Sequence, residues 1–146
     1  MLMSSKLDLL NRWYKDVWLD GDLDAIDVYF VPDTDAQGIV PDLSMGPTEF
    51  RDLVSVMRQM VVALDIRIKH SVENGNWLCA LVEVTARTRA RGAPIHVFSQ
   101  VMVRFDGDKM VEAYNSFDFM TLFEQMGQVP PNSLPLMMTG VHLAEA

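Results

Sequence analysis

Residues 64 to 105 read LDIRIKHSVENGNWLCALVEVTARTRARGAPIHVFSQVMVRF, and their period decides the fold. Leu64, Ile66, Ile68, His70 and Val72 alternate with Asp65, Arg67, Lys69 and Ser71, so one face of this run is apolar and the other polar, as in a half-buried strand. Asn74-Gly75 follows, a pair suited to a tight hairpin because both central turn positions need positive φ. A longer strand comes next, with Leu78, Ala80, Val82, Val84 and Ala86 on one face and Cys79, Leu81, Glu83, Thr85, Arg87 and Arg89 on the other. Beyond the turn at Arg91-Gly92-Ala93-Pro94, Ile95, Val97, Ser99, Val101, Val103 and Phe105 alternate with His96, Phe98, Gln100, Met102 and Arg104. Asp106-Gly107-Asp108 then turns the chain into a last strand from Met110 to Phe117. The inner faces are almost wholly aliphatic, which predicts an antiparallel meander with one side packed on a core.

Upstream of this run the period is 3.6. Leu7, Leu10, Tyr14, Val17 and Trp18 recur at three- and four-residue spacing, predicting an amphipathic helix over 5–20 with Ser5 as its cap and Gly21 as its end. The segment DLDAIDVYF repeats the pattern through Leu23, Ile26 and Phe30 until Pro32, predicting a second, shorter helix. From Val31 to Gly46, Pro32, Gly38, Pro41 and Gly46 break any period, so this stretch reads as a loop and a candidate pocket rim. Gly46-Pro47 opens a third helix with Phe50, Leu53, Val54, Met57, Met60 and Val61 as its apolar stripe. Phe119 to Gly127 reads as a short terminal helix or turn. The tail from Gln128, with Pro130, Pro131 and Pro135, is expected to pack without regular structure. Helices followed by a meander imply an α+β domain whose helices cover one face of a curved sheet. The 146 residues suit one domain, with a core at about 5–128 and a tail at 129–146.

Composition narrows the function. With 12 Lys+Arg against 20 Asp+Glu and a net charge of −8, nucleic acid and anionic membranes are unsuited as partners. Cys79 is the single cysteine, so no intrachain disulfide or multi-cysteine metal site can form. No apolar run reaches the roughly 18 to 20 residues of a membrane helix, and MLMSSKLDLL lacks a basic region followed by an apolar stretch, so a cytoplasmic location is expected. None of His70, His96 and His142 has a carboxylate at ligand spacing, and GxGxxG, P-loop and GxSxG sequences are missing, so neither a metal nor a nucleotide cofactor is expected. On the outer sheet face Leu81, Phe98 and Met102 lie among Arg87, Arg89, His96, Gln100 and Arg104. That mixture predicts a homodimer through the sheet, the alternative being isolated exposed apolar residues.

In this order of elements the chain resembles the nuclear transport factor two-like superfamily, and within it the SnoaL-like polyketide cyclases. The resemblance runs from about Leu7 to Pro130 and is carried by GDLDAIDVYFVPD at 21–33, GPTEFRDLV at 46–54 and VRFDGDKMVEAYNSFDFMTLFEQMG at 103–127. It implies a cone-shaped domain in which three N-terminal helices lean on a strongly bent, mainly antiparallel sheet and enclose an apolar cavity. It also implies that Asp118 of NSFDF stands where the cyclases have their acid/base aspartate, while Val101 stands where they have a histidine. Valine can neither transfer a proton nor hydrogen-bond a carbonyl. The related ketosteroid isomerases place their catalytic tyrosine at Tyr14 but their oxyanion aspartate again at Val101, and their base aspartate falls near Gln37 or Gly38, close to Asp35 and Asp42. The Arg-x-Asp pair of limonene epoxide hydrolases has no counterpart in LVEVTARTR.

Each candidate has a functional and a structural reading. Asp118 is either a cavity carboxyl with a pKa raised by apolar surroundings or the N-cap of the helix starting at Phe119. Asn115 shares strand parity with Ala113 and Phe117 and is expected to reach the cavity, where an amide orients a carbonyl. Tyr14 either donates its phenol to a substrate oxygen or packs. Ser99, the polar residue on an aliphatic strand face, either contacts ligand or satisfies a backbone carbonyl. His70 has inward parity, and Met57 and Met60 with Trp13 and Trp18 either wall the cavity or fill the core. Two functions follow: cofactor-independent acid/base chemistry on a small apolar cyclic or polyketide-like carbonyl compound, or non-catalytic binding of a small apolar molecule in the same cavity. The binding set is Tyr14, Trp18, Met57, Ser99, Val101, Asn115 and Phe117, with Asp118 as the catalytic group of the first reading.

Overall fold

The computed structural model describes residues 5–144. Ser5 caps α1 (Lys6–Trp13), its hydroxyl accepting the N–H of Asp8 at 3.1 Å. The helix runs on as a π-helical turn, Tyr14–Leu19, closed by the N–H of Asp20 donating to the carbonyl of Lys15 at 2.8 Å. Apolar spacing of three and four residues fits either winding, so the sequence predicts one regular helix here and the structure differs. A 3₁₀ turn (Leu23–Ala25) leads into α2 (Ile26–Tyr29), and α3 (Pro47–Met60) starts with proline at its first position, where the missing N–H costs nothing.

Four long strands follow in the predicted order, β2 (Val61–Asn74), β3 (Trp77–Thr88), β4 (Pro94–Asp106) and β5 (Lys109–Phe117). A fifth, β1 (Phe30–Gln37), occupies the first half of the stretch read as a loop and pairs parallel to β5, giving the order β1-β5-β4-β3-β2. Pro32 conceals this strand in the sequence, and an edge position tolerates it because one side of the strand needs no ladder donors. The register slips between Phe30 and Asp35, and the Thr34 hydroxyl repairs the gap, accepting the N–H of Val31 and donating to the carbonyl of Met110, both at 2.8 Å. Beyond Gly38 the chain folds back until Met45 exchanges backbone hydrogen bonds with Ala36 at 2.8 and 3.0 Å.

The inner faces of β3 and β4 are buried as their alternation predicts, from Leu78, Ala80 and Val82 to Ile95, Val97, Val101, Val103 and Phe105. In β2 two bulges interrupt the pairing, one at Ala63 with a left-handed φ of 54° and one between Ile68 and His70. The second reverses parity, so His70 pairs with Leu81 and is exposed rather than facing inward. The core divides in two. One cluster gathers Trp13, Phe30, Phe50, Val82 and Val103, and the other gathers Ala86, Ile95, Val97 and Leu122 with Phe117 and Phe119 against them.

After β5 comes α4 (Phe119–Gln125), and the tail contains a helix that was not expected, α5 (Ser133–Met138). Its proline, Pro135, falls in the first turn, where prolines are compatible with a helix, and Glu124 accepts the N–H of Leu134 at 2.7 Å. No helix among the described residues is long and apolar enough to cross a membrane.

Thr34 is 3% exposed. Thr34→Val keeps its shape and strips the hydrogen bonds of Val31 and Met110, so urea denaturation should show a loss of about 2 kcal/mol. An unchanged midpoint would mean that water repairs the slip equally well.

Candidate functional site

Between the two core clusters the helices and the sheet do not meet, and a cavity of about 130 Å³ remains. Tyr14 and Trp18 come from the π-helical turn, Phe50, Leu53, Met57 and Arg58 from α3, Val82, Val84, Ile95 and Ser99 from the sheet, and Phe119 and Leu122 from α4. Ile39, just beyond β1, completes one side, so the segment read as a rim does contribute. The volume is close to the ~150 Å³ that holds a benzene ring in an apolar protein interior.

Polar groups in the lining are few, and their hydrogen bonds are incompletely used. Tyr14 is half-buried and its hydroxyl has no hydrogen-bond partner among the described residues. Burial pushes its phenol well above the usual tyrosine range, so it stays protonated and acts as a donor at neutral pH. Ser99 is 9% exposed, and contrary to the structural reading its hydroxyl satisfies no backbone carbonyl. Asn115 donates through Nδ2 to the carbonyl of Gln37 at 3.1 Å, leaving Oδ1 unpaired. That contact fixes the end of β1, and the adjoining Gly38 has φ of +86° and sits so close that a Cβ there would lie 2.2 Å from the Asn115 carbonyl oxygen.

Tyr14, Trp18, Met57, Ser99, Asn115 and Phe117 thus come together around one cavity. Val101 does not join them. It is 6% exposed within the larger core cluster and reaches only a more open hollow of about 480 Å³ along β2 to β5. Met60 is also outside the lining. Asp118 takes the structural reading: its carboxylate accepts the N–H of Thr121 at 3.1 Å and its hydroxyl at 2.6 Å, capping α4, and it is exposed and absent from the cavity wall. Sequence reasoning missed Arg58. Its signal was a cation four residues after the apolar Val54 on the stripe of α3, where a solvated arginine is out of place; Val61, expected on the same stripe, instead turns extended after Met60 and begins β2.

No aspartate, glutamate or histidine lines the cavity, and no cluster of potential metal ligands occurs among the described residues. The wall can therefore donate hydrogen bonds and exclude water, but it offers no group that takes up a proton near neutrality.

Residues 10–113 match the SnoaL-like domain. The chain belongs to this family. The SnoaL-like fold recurs in solved structures that are similar to this chain at low identity. TsrD from Streptomyces laurentii is 16% identical, covering 88% of this chain and 100% of its own, with a TM-score of 0.72. A protein of Acidithiobacillus ferrooxidans assigned as a polyketide cyclase is 19% identical over 88% of this chain and 99% of its own, at 0.71. IdmH of Streptomyces antibioticus, likewise assigned as a polyketide cyclase, is 15% identical over 85% and 99%, at 0.74. No curated protein matches the chain. The cone of helices on a bent sheet expected for a SnoaL-like domain is the architecture observed, with β1 adding one parallel pair.

As the cap of α4, Asp118 should matter to stability. Asp118→Ala should cost about 1 kcal/mol in urea denaturation and Asp118→Asn much less, because an amide oxygen still caps. Equal stability of wild type and the alanine variant would remove the capping role.

Proposed function

We propose that this SnoaL-like protein is a ligand-binding protein, holding a small apolar compound of about one ring in the cavity between helices and sheet. The observation that carries this reading is the chemistry of the wall: apolar surface, uncommitted hydrogen-bonding atoms on Tyr14, Ser99 and Asn115, and no carboxylate or imidazole. An apolar cup with a few anchors suffices for binding. Catalysis by proton transfer needs a base within reach of the substrate, and Asp118 is engaged with Thr121 instead.

The second reading, cofactor-independent acid/base chemistry on a cyclic or polyketide-like carbonyl compound, draws support from Tyr14. A protonated, unpartnered phenol in an apolar cavity is suited to polarising a carbonyl oxygen. Its proton acceptor would have to come from the substrate or from water. The proposal extends to assembly: Phe98, Met102 and Tyr114 are 43%, 41% and 41% exposed on the outer sheet face, and this surface is the proposed homodimer contact. It also extends to location, a reducing cytoplasm keeping the exposed thiol of Cys79 unoxidised.

Thermal-shift measurements with cyclohexanone and acetophenone test the binding reading. At about a hundred times its dissociation constant a ligand adds roughly 2.7 kcal/mol, and wild type and Asp118→Asn should respond alike. Stabilisation by four-ring compounds but not by single rings would refute the size assignment, and altered binding in Asp118→Asn would return the carboxylate to the site. For assembly, sedimentation should report twice the 16.5 kDa chain mass, falling to the monomer in Phe98→Asp; a wild-type monomer refutes the contact.

A further inference from the structure

Among the described residues Arg58 is the single charged side chain in the cavity wall. Its Nε donates to the carbonyl of Trp18 at 2.8 Å and its Nη2 to that of Leu19 at 3.2 Å, so two of its five N–H groups close the π-helical turn. Nη1 has no acceptor among the described residues, and no carboxylate lies within ion-pair distance of the guanidinium. Elsewhere Arg51 holds Asp24 and Asp27, Arg67 holds Asp65, and Arg104 holds Glu112. Arg87, Arg89 and Arg91 also lack a carboxylate, but all three are exposed, and Arg87 and Arg89 donate to backbone carbonyls, Arg87 to that of Gly92 and Arg89 to those of Gln59 and Val61. Arg58 is half-buried in a chain with 20 acidic residues, and none of those among the described residues pairs with it.

The backbone is shaped around this cation. Gly21 packs close against the guanidinium, and a Cβ there would lie 2.3 Å from Nη1 and 2.5 Å from Cζ. Two carbonyls and one glycine therefore hold the group before any ligand arrives, so little side-chain entropy is left to lose on binding. The helix-end carbonyls supply about half a unit of negative charge, which leaves the cation partly uncompensated.

We propose that the cavity's ligand is a carboxylate: a single-ring apolar acid whose ring lies among the aliphatic and aromatic walls and whose anionic head is bound by the free edge of Arg58. This rests on the reading of the cavity as a binding site and names the chemical class of its ligand. A planar, fixed guanidinium edge matches a carboxylate better than a neutral carbonyl, and water exclusion strengthens the pairing.

Isothermal titration of benzoate against benzamide, and of cyclohexanecarboxylate against cyclohexanecarboxamide, tests it at pH 7 and low salt. The acids should bind wild-type protein at least about tenfold tighter than the amides of equal shape. Arg58→Met keeps an apolar stem and should erase that preference, while Arg58→Lys should retain part of it. Equal affinity for acid and amide in the wild type, or an undiminished preference in Arg58→Met, overturns the proposal. Tight binding of the amides alone overturns it and leaves the cavity reading standing, whereas no binding by either class of compound overturns both. The wild-type comparison needs no variant, so a failure of Arg58→Met to fold leaves the test intact.

Discussion

Trp13 stacks on Phe30 with ring centroids 4.6 Å apart, and Phe50 meets each of them edge-on at 5.4 Å. This three-ring contact joins α1, β1 and α3, elements that share no backbone hydrogen bonds, and it sets where the helical layer touches the sheet. Offset and edge-on aromatic pairs favour particular separations, so the rings act as a spacer as well as an adhesive. Beyond that spacer α3 reaches the second core cluster through the flexible side chain of Met57, next to Val61 at the start of β2. The gap between the two contacts is the cavity.

Such a cavity is stable only if its wall leaves few buried polar atoms without partners. No side-chain nitrogen or oxygen that is fully shielded among the described residues lacks a hydrogen bond. The unpaired atoms of Tyr14, Ser99, Asn115 and Arg58 belong to residues of the cavity wall and keep some accessible surface. Water or a ligand can serve them there, whereas closure of the cavity would strand them.

What the sequence revealed followed from which physical signals are periodic. Alternation in β3 and β4 and the three-four stripe of α3 are long and regular, so strands, helix and inner faces were legible, as were six of the residues that meet around the cavity. Features that cancel a period were not. Pro32 conceals β1, a one-residue bulge sends His70 to the other face, and a π-helical turn looks like an α-helix in residue spacing. Asp118 was ambiguous for a different reason: an aspartate ahead of a helix at a cavity mouth satisfies both a cap and a base, and only the direction of its side chain separates them. Arg58 escaped because its neighbours are apolar in sequence while its partners, Trp18, Leu19 and Gly21, lie about 40 residues away.

The bulges of β2 have a consequence beyond residue orientation. At 14 residues β2 is the longest strand and stands at the open edge of the sheet, a row of unpaired backbone donors and acceptors on which another chain could add. Its two register breaks, the left-handed Ala63 and the run of Asp65, Arg67, Lys69 and Glu73 make that edge bent and charged. The irregularities that hid part of the strand's geometry from sequence reading are thus also its guard against uncontrolled fibril-like growth.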